Sequence, residues 1–137
     1  MKKIIVLIIS VIALSGCNQT SEEYFKMGLA KDKIGDYKGA ILDYNKAIEL
    51  YPEDKYAYNN YVYNNRGVCK YELGDYRGAI LDCNKAIELD PEFMYAYYNR
   101  GLCKYELGDI DGACLDFSKA GELGNMDAYN VIKEYCN

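Results

Sequence analysis

The chain of 137 residues contains no histidine and no tryptophan. Without an imidazole it can build neither a Ser-His nor a Cys-His catalytic pair, and no zinc site can draw on a histidine ligand. A surplus of positive charge is missing too, since 16 lysines and arginines stand against 21 aspartates and glutamates. Such a chain has no basic surface with which to neutralise phosphates, so nucleic acid is not an expected partner. A glycine-rich phosphate loop is also absent, because the repeated glycines fall where helices end or pack closely. The longest hydrophobic run, Ile4 to Leu14, is broken only by Ser10, and eleven residues are too few to cross a bilayer as a helix. These absences predict no enzyme, no cofactor and no metal.

What is present begins with a positive start, Lys2 and Lys3, ahead of that short apolar run. The pattern suits the core of a secretory signal. It ends in Leu14-Ser15-Gly16-Cys17, which resembles the lipobox of bacterial lipoproteins: a Leu, two small residues, then Cys. The resemblance implies cleavage before Cys17 by signal peptidase II and lipidation of Cys17 with a diacylglycerol, usually joined by a third acyl chain on the amine. Two or more chains are enough for stable membrane anchoring. Residues 1–16 are then the signal peptide and 17–20 a short tether, with Tyr24 only seven residues beyond the lipid. Asn18 replaces the Asp that marks inner-membrane retention in some Gram-negative systems, which leans toward the outer membrane where one exists. Loss of Lys2 and Lys3 leaves 14 basic and 21 acidic side chains, a net charge of −7.

Laying the chain on itself at 34 residues aligns 65–86, NRGVCKYELGDYRGAILDCNKA, with 99–120, NRGLCKYELGDIDGACLDFSKA. A third copy, KMGLAKDKIGDYKGAILDYNKA, fills 26–47, offset by 39 residues rather than 34. In each copy a glycine, Gly35, Gly74 or Gly108, can end a first helix in the left-handed conformation. The following Asp36, Asp75 or Asp109 can cap a second. Ala40, Ile41, Tyr44, Ala47 and Ile48 recur at the three-and-four spacing of an apolar helical stripe, as do Ala79, Ile80, Cys83, Ala86 and Ile87. Pro52 and Pro91 then stop the helix. The expected chain is a row of antiparallel helix pairs.

These copies resemble tetratricopeptide repeats, over residues 21–127. An aromatic stands four residues before glycine in Tyr24/Gly28, Tyr63/Gly67 and Tyr97/Gly101. Ala40/Tyr44 and Ala113/Phe117 supply the family's alanine and large residue, while Ala79/Cys83 meets only half of that pattern. Ala47, Ala86 and Ala120 close the second helices. The resemblance implies an all-α, right-handed solenoid of three repeats, at about 21–54, 60–93 and 94–127. Residues 128–137 follow as a capping helix, with Ala128, Val131, Ile132 and Tyr135 covering the last repeat. Gly121 and Asn125 replace an isoleucine and a proline of the pattern, so the last helix of repeat three is expected to be short. The related Sel-type solenoid is a weaker alternative, suggested by KAGELGNMDA but set against by the 34-residue spacing.

Repeats two and three depart from the family in carrying Arg66 and Lys70, then Arg100 and Lys104, on one face of the first helix. Asp82 and Asp116 recur on the second helices, so Arg66–Asp82 and Arg100–Asp116 pairs are expected, as exposed contacts of about 0 to 1 kcal/mol each. Five cysteines remain after Cys17: Cys69, Cys83, Cys103, Cys114 and Cys136. An odd number cannot all pair within one molecule, and most are expected to be small buried apolar residues. Cys69 and Cys103 occupy the place of Ala30, which reads as a small-residue packing slot.

In the family this chain resembles, the first helices line a concave groove for an extended peptide or a partner helix. Repeat phase places Phe25, Leu29, Asp32, Asn64, Val68, Tyr71, Tyr98, Leu102 and Tyr105 there. The groove would be aromatic and amide-bearing, suited to a peptide. Leu29, Val68 and Leu102 stand where the chaperone-tail binders of the family place clamp asparagines, so that activity is not implied. The expected function is a membrane-anchored interaction module at the cell envelope, with an unknown protein or peptide as partner. A structural or self-associating role without a specific groove is the alternative.

The extra five residues lie in YAYNNYVYNN, 56–65, where Tyr-Ala-Tyr-Asn-Asn is followed by a near copy. Five residues advance a helix by about 7.5 Å and turn it by about 140°, so the two copies cannot share a face. Tyr63 must keep its distance from Gly67, which makes Tyr56 to Asn60 the addition, an insertion at about 55–59. A helix lengthened to about 54–73 is expected, the other possibility being a loop with Asn60 as cap.

Overall fold

The computed structural model describes residues 19–50 and 59–136. The signal segment, Cys17, Pro52 and the part of the doubled pentapeptide before Asn59 lie outside the described residues. Among the described residues there are helices and no strands: α1 Ser21–Lys33, α2 Tyr37–Leu50, α3 Asn59–Glu72, α4 Tyr76–Leu89, α5 Met94–Glu106, α6 Ile110–Glu122 and α7 Met126–Tyr135. Each packs on its neighbour in sequence, and the first helices α3 and α5 also touch each other, which is the layout of an α-solenoid. None of the described helices is long and apolar enough to cross a membrane.

Local chemistry sets the helix ends. Thr20 opens α1 with a capping box, its hydroxyl accepting from the Glu23 amide while the Glu23 carboxylate accepts from the Thr20 amide. Asp36, Asp75 and Asp109 each accept from the amide three residues on, at Gly39, Gly78 and Gly112. Just before each aspartate a glycine takes a positive φ of 79°, 80° or 84°, so the turn inside every repeat is the same.

Three apolar clusters form the core. Ala40, Tyr44, Ala47, Val62 and Cys69 join repeats one and two, and Cys83, Ala86, Phe93 and Ala96 join repeats two and three. Ala113, Phe117, Ala120 and Ala128 bring in α7. The Tyr44 and Phe117 rings lie where a Cβ on Gly28 or Gly101 would sit, at 2.5 and 2.6 Å. Opposite Gly67 stands the smaller Cys83, and the nearest atoms to an added Cβ are 3.3 Å away. Alanine at Ala79 is likewise buried.

Several expectations change. Helix α6 is only one residue shorter than α2 and α4, because Gly124 at φ 102° ends it and Asn125 then caps α7 by accepting from Ala128. The capping helix therefore starts at Met126, ahead of 128. Two of the cysteines are not free: Cys114 of α6 and Cys136 beyond α7 form a disulfide with Cα atoms 5.7 Å apart. Cys69, Cys83 and Cys103 are free and buried. The small-residue slot holds only where a repeat precedes it, since Ala30 on the outer side of α1 is exposed. Asn60 lies inside α3 rather than capping it, and its amide donates to Asp90 at 3.3 Å.

Candidate functional site

The first helices present two faces, and the charge is sorted between them. Toward the second helices, Arg66 grips Asp82 with two hydrogen bonds of 2.9 and 2.5 Å, and Lys70 reaches the same carboxylate at 2.8 Å. Arg100 and Lys104 treat Asp116 the same way, at 2.8, 2.6 and 2.8 Å. Each arginine also donates to an asparagine of the preceding repeat, Asn45 or Asn84, at 2.8 Å, and lies over Tyr63 or Tyr97. The Asp82 and Asp116 side chains are only 4% and 6% exposed, so these pairs are buried junctions and not the surface contacts expected from sequence. The Asp116 bonds hold the Arg100 pKa above its ordinary value. Repeat one has Met27 in the arginine's place, and among the described residues Asp43 has the Lys31 ammonium at 2.7 Å, without an aligned hydrogen bond.

The nine positions expected to line a groove do not all share the opposite face, since Phe25 and Tyr98 pack toward the second helices. Between α3 and α5 lies a pocket of about 110 Å³, lined by Gly67, Val68, Tyr71, Glu72, Asn99, Leu102 and Cys103. Three of the nine groove residues, Val68, Tyr71 and Leu102, meet there. Asn64 is 5% exposed and accepts from the Asn99 amide at 2.9 Å, which ties α3 to α5 and leaves little of it for a ligand. Phe25 packs against Tyr44 with centroids 6.0 Å apart, and Tyr98 against Phe117 at 5.7 Å. Tyr105 meets Tyr135 of the last helix edge-on at 4.8 Å. Leu29 and Asp32 are half-buried on α1.

Sequence phase alone missed Asn99, Glu72 and Glu106. The two glutamates follow Val68 and Leu102 by four residues, a helical spacing that puts them on the same face. Tyr71 donates to Glu106 at 3.3 Å, and burial together with that carboxylate pushes the Tyr71 pKa up to about 12. Nearby thiols are poor nucleophiles, because burial pushes Cys69 and Cys103 up to about 12 and Cys83 further still. The site therefore offers shape, aromatic edges and charge.

Comparison with known proteins agrees with this architecture. Tetratricopeptide repeat models match residues 21–54, 61–93 and 83–114. A model of the prokaryotic membrane lipoprotein lipid attachment site matches residues 1–18, which include Cys17. A search of curated protein sequences returned no match. Among solved structures, a tetratricopeptide repeat domain of Arabidopsis OM64 is 30% identical, with a TM-score of 0.79 over 85% of this chain and 93% of that one. The first such domain of Spaghetti (RPAP3), bound to the HSP90 peptide SRMEEVD, is 28% identical with a TM-score of 0.78 over 86% and 91%. The myosin chaperone UNC-45 of C. elegans, in complex with an Hsp90 peptide, is 30% identical with a TM-score of 0.80 over 87% of this chain and 14% of that one.

Proposed function

Since the chain belongs to the tetratricopeptide repeat family and bears a lipoprotein attachment site ahead of its first repeat, we propose that it is a membrane-anchored interaction module of the bacterial cell envelope. The lipid on Cys17 holds it at the membrane, the outer one where the cell has two. Its concave face takes a peptide or a partner helix, and it is not an enzyme.

The observation that carries this reading is the open pocket between α3 and α5, where Val68, Tyr71 and Leu102 converge. Around it, Leu29 and Asp32 would extend the face toward repeat one, with Phe25 packed behind them on Tyr44, and Asn64 would frame it. Tyr98 and Tyr105 bound it on the side of α7. The peptide SRMEEVD held by one solved relative is acidic, and Glu72 and Glu106 make the corresponding face of this chain unsuited to it. Capture of envelope proteins by the lipidated chain is expected to fall about tenfold on Tyr71→Ala, the effect of truncating an interface anchor, with helicity intact. Unchanged capture would sink the groove. Replacing Cys17 with Ser should move the protein out of the membrane fraction, and retention there would overturn the anchoring.

One observation favours the structural alternative. Leu42, Leu81 and Leu115 occupy the same place on the three second helices and are 65%, 69% and 73% exposed. Repeated apolar residues of this kind can mediate stacking between copies. Light scattering of the lipidated chain in detergent distinguishes the readings, since self-association that persists in Tyr71→Ala would support the outer face.

A further inference from the structure

Helices α3 and α5 follow one charge plan. The cations of α3 are Arg66 and Lys70 and its carboxylate is Glu72; those of α5 are Arg100, Lys104 and Glu106. All four cations are drawn onto Asp82 and Asp116, on the side facing α4 and α6. Among the described residues of α3 and α5, that leaves carboxylates as the charged groups at the pocket. Glu72 lines the pocket and Glu106 stands at its rim beside Tyr71. Both are exposed, and neither makes an ion pair among the described residues. Each is also the last residue of its helix, where the helix dipole adds negative potential. Helix α1 breaks the plan, with Lys33 in the place of Glu72 and Asp32 beside it.

The pocket between these carboxylates is apolar at its floor, through Val68, Leu102 and Gly67. At about 110 Å³ it is smaller than the roughly 150 Å³ cavity that accepts a benzene molecule, so it suits an aliphatic side chain. We propose that the partner is a cationic segment: an aliphatic side chain seated in the α3–α5 pocket, with lysine or arginine flanking it and meeting Glu72 and Glu106. The stems of such cations lie along the Tyr71 ring while their charged ends reach the carboxylates. The net charge of −7 beyond the signal peptide steers the same class of ligand toward the surface. This inference rests on the groove reading and adds the chemistry of the occupant.

The test uses the full lipidated chain in non-ionic detergent, applied to an array of random short peptides at low salt. Peptides with an aliphatic residue between lysines or arginines should be enriched, by about threefold or more over charge-reversed peptides, as two rim ion pairs would give. Raised salt should shrink that advantage. The Glu72→Gln, Glu106→Gln double variant keeps both side-chain shapes and should lose the bias while still capturing peptides through the pocket. Capture that depends on Tyr71 but shows no charge bias, or favours acidic peptides, would overturn the cationic occupant and leave the groove standing. Capture that ignores both Tyr71 and the glutamates would overturn the two together.

Discussion

The position opposite the repeat glycine is filled differently in each copy, by Tyr44, Cys83 and Phe117, and the consequences differ residue by residue. All three are fully buried. The Tyr44 hydroxyl is buried with no hydrogen-bond partner among the described residues, and burial raises its pKa. An unsatisfied buried hydroxyl costs about 1 to 3 kcal/mol. Phe117 shows that the same slot accepts the ring without it. Tyr44→Phe is therefore expected to stabilise the fold by up to about 1 kcal/mol, read as a raised midpoint in urea unfolding; a lowered midpoint would mean the hydroxyl has a partner. The glycines respond to the same contrast. A methyl at Gly101 runs into the Phe117 ring and Ala113 carbonyl, whereas at Gly67 it meets 3.3 Å contacts that need only a small adjustment. Gly101→Ala should cost about 1 to 3 kcal/mol by overpacking and Gly67→Ala less, so equal losses would refute the account.

At the scale of helices, the repeat register, the aspartate caps, the glycine turns and the arginine–aspartate partners were all legible, because each follows from spacing along one chain. The burial of Asp82 and Asp116 was not, since it depends on how closely the preceding repeat, through Asn45 and Asn84, closes over the pair. Phase named nine residues for one groove without showing that Phe25 and Tyr98 pack toward the second helices, that Asn64 bonds to Asn99 or that Tyr105 meets Tyr135 of α7. The disulfide left a faint trace. Cys114 breaks the apolar stripe at the place where the other repeats have Ile41 and Ile80, and Cys136 lies beyond the repeats. Their bond closes a loop across 22 positions and pins the last helix, a constraint of about 3 kcal/mol on the unfolded chain. Cys136→Ser should accordingly speed amide exchange in α7 far more than in α3 or α4. Unchanged protection would show that packing of Ala128, Val131 and Ile132 already holds the helix, and uniform loss that the bond stabilises the whole fold and not its last helix.

Across the whole molecule, the free thiols bind the repeats to one another, since Cys69 and Cys83 sit in the clusters that join repeats one to two and two to three. Burial pushes Cys69 and Cys103 up to about 12 from an ordinary value of 9.0, and Cys83 moves the same way. Well below pH 9 the thiols are protonated whether the chain is folded or not, and they add no pH dependence. Above it the unfolded chain releases protons that the folded chain retains, so stability falls as pH rises until the folded groups ionise as well. Each thiol contributes up to about 1.4 kcal/mol per pH unit in that window. The melting temperature should hold steady from pH 6 to about 8.5 and decline beyond pH 9, before the tyrosines begin to ionise near 10. Replacing Cys69, Cys83 and Cys103 by alanine lowers the starting melting temperature through lost packing but should flatten the decline between pH 9 and about 10. Parallel curves for the two proteins would place the alkaline sensitivity elsewhere, and a flat curve for both would mean that the thiols are less shielded than their burial between the repeats requires.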